Sequence, residues 1–99
     1  MSNQEIKSDA GKPRISLVPP QIIEDIAIVR MYGVKKYGDK ESWKDVDEQR
    51  YIDALLRHTL AFMKAPESVD AESGIPHYKH MACNMAFICE LEKAKEGNV

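Results

Sequence analysis

The stretch that decides the fold is DEQRYIDALLRHTLAFMKAP, residues 47–66. Its apolar side chains recur every three or four residues, which places them on one face of an α-helix. That face carries Tyr51, Ala54, Leu55, His58, Ala61 and Phe62. Asp47 is a suitable N-cap, because its carboxylate can accept a hydrogen bond from a backbone N–H of the first turn. The helix is predicted to reach about Lys64, since Ala65 precedes a proline and is disfavoured in helical conformation.

Two further helices are predicted on either side of this one. The first spans about Pro20 to Lys36, and Gly38 is its stop signal. Its apolar stripe consists of Ile22, Ile23, Ile26 and Val29. The last helix begins near Pro76 and runs to about Lys95, because proline is tolerated in the first turn. Its core face carries Met81, Cys83 or Asn84, Phe87, Ile88 and Leu91.

The whole pattern predicts an all-α protein, a small bundle of three main helices with an extended N-terminal strap. Residues 1–10 are predicted to be a polar tail, residues 11–95 a single helical domain and residues 96–99 a frayed C-terminus. Three short helices bury one core poorly, and pairing two chains would bury more apolar surface. A homo-oligomer is therefore expected.

The 99 residues contain 14 Lys and Arg against 16 Asp and Glu, a formal net charge of −2. Binding to a nucleic-acid polymer is not expected from this balance, because such binding needs a basic face. No apolar run approaches the roughly 20 residues that span a bilayer, and no signal peptide is visible. Cys83 and Cys89 are six residues apart on a helix, a poor geometry for a disulfide. Reduced thiols and a cytoplasmic location are the expectation.

Polar residues interrupt the apolar faces at one place. His77, His80 and Asn84 share one face of the last helix, and His58 can approach them if the last two helices are antiparallel neighbours. The imidazoles could ligate a metal ion, hydrogen-bond a ligand phosphate or base, or have a purely structural role. Spacing alone leaves all three interpretations open.

Charged segments flank these histidines. In the loop before the last helix, Glu67 and Asp70 have ExxD spacing and Asp70 with Glu72 forms a second acidic pair, which suits Mg²⁺ but is also common in solvated loops. Residues 35–40, KKYGDK, form a basic turn around an aromatic ring that could hold an anion and a base or could be simply solvated. Trp43 next to it either closes the loop on the bundle or offers a stacking platform.

Several motifs in order resemble one known family. They are GKPR at 11–14, YGVKKYG at 32–38, ALLRH at 54–58 and ESG at 72–74, followed by His77, His80 and Asn84. This set resembles the phage dATP/dGTP diphosphohydrolase-like family, which is similar to the all-α nucleoside triphosphate pyrophosphohydrolases of the MazG type. The MazG-type ExxE motif is absent from this chain, and its ExxD falls in a predicted loop.

The resemblance implies a phage-encoded protein of the host cytoplasm that binds a purine nucleotide. It would hydrolyse dATP or dGTP to the monophosphate and pyrophosphate with a Mg²⁺ or Mn²⁺ ion. The implied ligand-binding residues are Lys12, Arg14, Lys35, Lys36, Tyr37, Arg57, His58, His77, His80 and Asn84. Glu72 and Asp70 are the implied catalytic residues, and the same two with His77 and His80 are the implied metal ligands. The alternative is a non-catalytic, anti-defence protein that sequesters nucleotide or cyclic-nucleotide immune signals of the host.

Overall fold

A computed structural model of the chain describes residues 10–97. Its elements are three helices, which we number α1 (Gln21–Tyr37), α2 (Glu48–Lys64) and α3 (His77–Gly97), and two short 3₁₀ turns, Ile15–Leu17 and Ser42–Asp45. The described residues contain no strand, only an isolated antiparallel bridge between Val69 and Pro76. The all-α prediction is confirmed.

The helix ends follow the local signals in the sequence. Asp47 caps α2, its carboxylate accepting a hydrogen bond of 3.0 Å from the Gln49 backbone N–H. Gly38 ends α1 with φ +71°, a left-handed conformation that glycine adopts without strain. α3 continues to Gly97, two residues beyond the predicted Lys95. The predicted polar tail, apart from Ala10, lies outside the described residues.

The bundle is organised around α3, which packs against both α1 and α2. Cys83 and Asn84 of α3 are buried, and the predicted face of α2 is half-buried throughout. Cys83 is the only fully buried apolar side chain among residues 10–97. The core is therefore thin, as expected of so short a chain.

The predicted core stripe of α1 is partly wrong. Ile26 and Val29 are half-buried, but Ile22 and Ile23 are exposed to 44% and 64%. The reason is a polar contact between α1 and α3. Asp25 is buried beside Lys79 of α3, with 3.5 Å between carboxylate and ammonium, and it also accepts a hydrogen bond of 3.1 Å from Gln21. This pair occupies the side of the first turns of α1 that faces α3, and Ile22 and Ile23 are therefore directed outward.

The N-terminal strap does not dock on the bundle as expected. Residues 15–17 form a 3₁₀ turn, in which Leu17 N–H donates to the Arg14 carbonyl. Ile15 and Leu17 are exposed to 74% and 69%. Among the described helices, none combines the length and the apolar character needed to cross a membrane.

Candidate functional site

A cleft of about 600 Å³ opens between the three helices, the 3₁₀ turn at 42–45 and the loop before α3. Its volume falls in the range of small-molecule sites, roughly 300–1,000 Å³. Charged and polar lining residues are Arg30, Lys36, Asp39, Ser42, Arg50, Arg57, His58, Asp70, Glu72, His80 and Asn84. Aromatic lining residues are Tyr32, Tyr37, Trp43, Tyr51 and Phe87.

Three aromatic rings in contact, those of Trp43, Tyr51 and Phe87, form what we call the aromatic end of the cleft. The Trp43 and Phe87 ring centroids are 4.8 Å apart with 22° between the planes, and Tyr51 lies 4.7 Å from Phe87. The Tyr51 hydroxyl donates a hydrogen bond of 2.6 Å to the Trp43 carbonyl. Trp43 thereby fastens the 42–45 turn to α3, which is the loop-closing role considered for it.

The Arg30 guanidinium completes the aromatic end. It lies 5.3 Å from the Phe87 ring centroid and donates a hydrogen bond of 2.6 Å to the Lys40 carbonyl. The first contact is a cation–π interaction, and the second joins α1 to the loop that follows it. A positive charge is therefore held beside the stacked rings.

His58, Asp70, His77 and His80 form the opposite, histidine end. His58 Nδ1 and His77 Nδ1 are 2.8 Å apart, and the His80 ring stacks on His58 at 4.5 Å with 8° between the planes. The His80 Nε2 atom is 2.7 Å from the Ser73 hydroxyl. The predicted approach of His58 to the start of the last helix is thus observed.

The loop before α3 holds Asp70 in place through its backbone. Asp70 N–H donates to the Ile75 carbonyl and Gly74 N–H donates to the Asp70 carbonyl, each at 2.8 Å. Gly74 has φ +72°, which closes this turn. The Asp70 carboxylate accepts a hydrogen bond of 2.8 Å from Ser73 N–H. Asp70 is therefore an ordered residue of a tight turn.

The environment of the histidine end disfavours the charged form of two of its imidazoles. Burial, with a smaller contribution from His80, lowers the pKa of His58 to about 4, and burial also lowers the pKa of His80. Burial raises the pKa of Asp70, but its hydrogen bonds with Ser73 outweigh this and keep the pKa below its usual value. At neutral pH the site offers a neutral His58 ring next to an ionised carboxylate.

Within the described residues, one group of side chains could hold a metal ion. One ligand atom from each of His58, Asp70 and His77 lies within 4.8 Å of the others. Glu72 lies apart from this group, paired with Lys36 across the cleft mouth. The hydrogen bond to Glu72 raises the pKa of Lys36, which stays protonated.

The structure brings most of the sequence-predicted residues to this cleft. Those that line it are Lys36, Tyr37, Arg57, His58, Asp70, Glu72, His80 and Asn84, and His77 lies next to His58. Asn84 donates a hydrogen bond of 2.8 Å to the His80 carbonyl. Lys35 does not line the cleft, and Lys12 and Arg14 line a second depression formed by residues 11–14 alone.

Sequence reasoning missed Arg30 and Arg50, and it missed that Tyr51 and Phe87 line the cleft. Both rings were predicted on helix faces, where a core residue and a cleft residue give the same periodic signal. Arg30 directly follows the apolar stripe of α1, and this position was the only signal in the sequence that its side chain could lie near the helix interface.

Comparison with known proteins supports the resemblance seen in the motifs. The family model described as dATP/dGTP diphosphohydrolase, N-terminal, matches residues 2–98. A dATP/dGTP diphosphohydrolase of Salmonella phage PMBT28 is 37% identical over 83 residues, which cover 84% of this chain and 28% of the relative. The chain thus spans little more than a quarter of that relative's length. No solved structure matches the chain significantly. The predicted resemblance is confirmed, and the chain belongs to the dATP/dGTP diphosphohydrolase N-terminal family.

Proposed function

We propose that the chain binds a purine deoxynucleoside triphosphate in this cleft and takes part in its hydrolysis to monophosphate and pyrophosphate. The observation that carries the proposal is the joint presence of cations and stacked aromatic rings in one cavity of about 600 Å³. The family, and the activity named for its Salmonella phage relative, support dATP and dGTP as substrates. Like that relative, the protein would act in phage nucleotide metabolism.

The cations are suited to phosphate. Within residues 10–97, Arg50 and Arg57 form no ion pair with a carboxylate, so both guanidinium groups are free for an anion. Arginine binds phosphate oxygens in a bidentate manner. Lys36 is paired with Glu72, and a phosphate would compete with that carboxylate for the ammonium group.

The stacked rings are suited to the base. Trp43 and Phe87 line the cleft, and stacking on an aromatic ring is worth about 1–3 kcal/mol per base. Tyr37, exposed to 68% at the mouth, is available to the sugar. The nucleotide would then lie with its base at the aromatic end and its phosphates toward Arg57 and the histidine end.

Hydrolysis requires a water molecule to attack the α-phosphorus, while the bond to the leaving pyrophosphate breaks and the water proton passes to a base. Asp70 is the described carboxylate nearest the imidazoles, and it is ionised and oriented by Ser73. A bound divalent ion would neutralise the charge that develops on the phosphates. The resemblance implies Mg²⁺ or Mn²⁺, and of these two a Mn²⁺ ion could be held by the imidazoles and the carboxylate of the histidine end.

A second candidate function is sequestration of a nucleotide without cleavage. It is favoured by the single carboxylate of the histidine end, since Glu72 is engaged by Lys36. Phosphoryl-transfer enzymes gain most of their rate from metal ions and preorganised charges around the phosphates. A cleft in which only Asp70 lies beside the imidazoles and Glu72 is engaged by Lys36 favours binding over cleavage.

The exposed apolar side chains support the further proposal that the chain pairs with a second copy. Ile23, Met31 and Met63 are exposed to 64%, 73% and 71%. Pairing of two bundles would remove such side chains from water and enlarge a core that is thin in the single chain.

The test of binding is isothermal titration calorimetry with dATP, dGTP and dCTP. We expect the purine nucleotides to bind, and Arg57→Ala to weaken binding about 10- to 100-fold, because a charge-assisted hydrogen bond contributes about 1.5–3 kcal/mol. Arg14→Ala is the matched control, since it removes the same charge outside the cleft. Equal losses in the two variants, or no binding by the unaltered protein, would refute the cleft as the nucleotide site.

The two candidate functions predict different products after the protein is incubated with a nucleotide. The protein is incubated with dATP, dGTP or a cyclic dinucleotide, with and without Mn²⁺, and the products are separated by chromatography. Metal-dependent release of pyrophosphate that is lost in Asp70→Asn supports the enzyme. Intact nucleotide recovered after heat denaturation of the complex supports sequestration.

A further inference from the structure

We propose that His58, Asp70 and His77 form a binding site for a transition-metal ion of the Zn²⁺ class, with a ligand set that differs from the one the family resemblance implies. The three ligand atoms lie within 4.8 Å of one another, and all three side chains are half-buried. The proposal does not depend on nucleotide binding, because the ion is recognised by protein atoms alone.

The donor set selects the class of metal. Two imidazole nitrogens and one carboxylate oxygen suit Zn²⁺, Co²⁺ and related transition metals. Mg²⁺ and Ca²⁺ prefer oxygen ligands and would find one carboxylate here. Three protein ligands also leave a coordination position open, as in catalytic rather than structural zinc sites.

The distance between the two imidazoles is compatible with this site. His58 Nδ1 and His77 Nδ1 are 2.8 Å apart, so in the absence of an ion one nitrogen donates a hydrogen bond to the other. Two ligands of a tetrahedral ion, each about 2.0–2.1 Å from the metal, are about 3.3 Å from each other. Metal binding therefore needs the two nitrogens to separate by about 0.5 Å and the rings to turn toward the ion. The proton between them must also leave Nδ1, since a ligating imidazole nitrogen is unprotonated.

The surrounding contacts orient the ligands. The turn before α3 links the backbone of Asp70 to Ile75, and Ser73 N–H holds the carboxylate. His80 stacks flat on His58 and is itself fixed by the Ser73 hydroxyl. Contacts of this kind outside the ligand set fix ligand orientation in metal sites.

The same contacts exclude two residues of the expected ligand set. Glu72 is paired with Lys36. The His80 Nε2 atom is hydrogen-bonded to Ser73, and neither residue belongs to the group of converging ligand atoms. His58, which the resemblance placed only among the ligand-binding residues, takes their place as the second imidazole.

The proposal is tested with metal ions and no nucleotide. The full chain is freed of metal with a chelator and titrated with Co²⁺, followed by visible absorption, and with Zn²⁺ and Mg²⁺, followed by calorimetry. We expect one equivalent of Co²⁺ or Zn²⁺ to bind, with intense d–d bands for a site of low coordination number, and Mg²⁺ to bind at least 100-fold more weakly.

Variants identify the ligands. His58→Phe and His77→Phe keep a flat ring and remove the nitrogens, and each should weaken Zn²⁺ binding at least tenfold. Glu72→Gln is the control, because Glu72 is paired with Lys36 outside the converging group, and it should bind Zn²⁺ within about twofold of the unaltered protein. Circular dichroism checks that each variant is folded.

A measurement on the unaltered protein covers the case in which a variant does not fold. Nitrogen-15 spectra of the histidine rings should show the Nδ1 signals of His58 and His77 shifting on addition of Zn²⁺, while the His80 signals move little. Absence of Zn²⁺ binding, equal affinity for Mg²⁺, or a shift confined to His80 would overturn the assignment. None of these measurements depends on nucleotide affinity. A negative result would therefore refute the metal site without refuting the proposed function.

Discussion

The two ends of the cleft use their rings in opposite ways. At the aromatic end, Trp43, Tyr51 and Phe87 satisfy one another by stacking and by the hydrogen bond from Tyr51 to the Trp43 carbonyl. At the histidine end, the rings of His58, His77 and His80 crowd together beside a single carboxylate. Such packing stabilises apolar rings. A packed imidazole instead loses hydration, so its ring nitrogens need a proton, a hydrogen-bond partner or an ion.

The difference indicates a division of labour. The aromatic end joins α1, α2, α3 and the 42–45 turn through Phe87, so it contributes mainly to stability. The histidine end is held by a tight turn and two helix termini, and its polar atoms face the cleft or each other. We therefore expect substitutions at the two ends to separate stability from chemistry.

The largest effect is expected for Phe87→Ala. Removing the ring takes away the contacts with Trp43, Tyr51 and Arg30 together. Truncating a core Phe costs about 3–5 kcal/mol, and because Phe87 is only half-buried we expect a loss of about 2–3 kcal/mol in the free energy of unfolding. Urea denaturation measures it.

The histidine end supplies the control for this comparison. His80→Phe should change the free energy of unfolding by less than about 1 kcal/mol, because the ring stays and one side-chain hydrogen bond is lost. Comparable losses in the two variants would mean that both ends are structural, and the division of labour would be wrong.

The two cysteines provide a second comparison, because Cys83 lines the cleft and Cys89 is exposed. Burial raises the pKa of Cys83 from 9.0 to about 11. The thiolate is the reactive form, so at pH 7.5 Cys83 has about 100-fold less thiolate than a thiol at the unshifted pKa. Mass spectrometry after iodoacetamide treatment should show Cys89 alkylated first and Cys83 at least about 100-fold more slowly.

The alkylation rate of Cys83 also reports which end of the cleft keeps the centre of α3 packed. Phe87→Ala should accelerate its alkylation, because Phe87 is one turn away on α3 and packs α3 against its neighbours. His80→Phe should leave the rate unchanged. Rapid alkylation of Cys83 in the unaltered protein would show that the centre of α3 is open to solvent.

The sequence predicted the helices well because their signals are local. Asp47, Gly38 and Pro76 act on the backbone within one turn, and the face of α2 follows from its own spacing. The face of α1 could not be predicted in the same way. The contact between Asp25 and Lys79 joins residues 54 positions apart, and it buries a carboxylate where the apolar pattern places isoleucines.

In the candidate site, too, local signals were predicted and contacts between distant residues were not. The histidine end was anticipated because His77 and His80 are three residues apart on one helix and the turn places Asp70 just before them. The replacement of Glu72 and His80 by His58 in the converging group could not be anticipated, since it depends on the pairing of Glu72 with Lys36 and of His80 with Ser73. Trp43 and Phe87 meet across 44 residues of sequence, a distance at which periodicity carries no information about contact.

The smallest expected effect tests how the aromatic end is assembled. Tyr51→Phe keeps the ring against Phe87 and removes only the hydroxyl that donates to the Trp43 carbonyl at 2.6 Å. A hydrogen bond of this kind contributes about 1 kcal/mol, so urea denaturation should show a loss of about that size, with a red-shifted emission of the half-buried Trp43 if the turn loosens and the indole meets water. Gln49→Ala, on the exposed side of α2, is the control and should stay within about 0.5 kcal/mol. If Tyr51→Phe leaves both stability and emission unchanged, ring stacking alone holds the 42–45 turn on α3, and the hydroxyl is left free to meet a bound ligand.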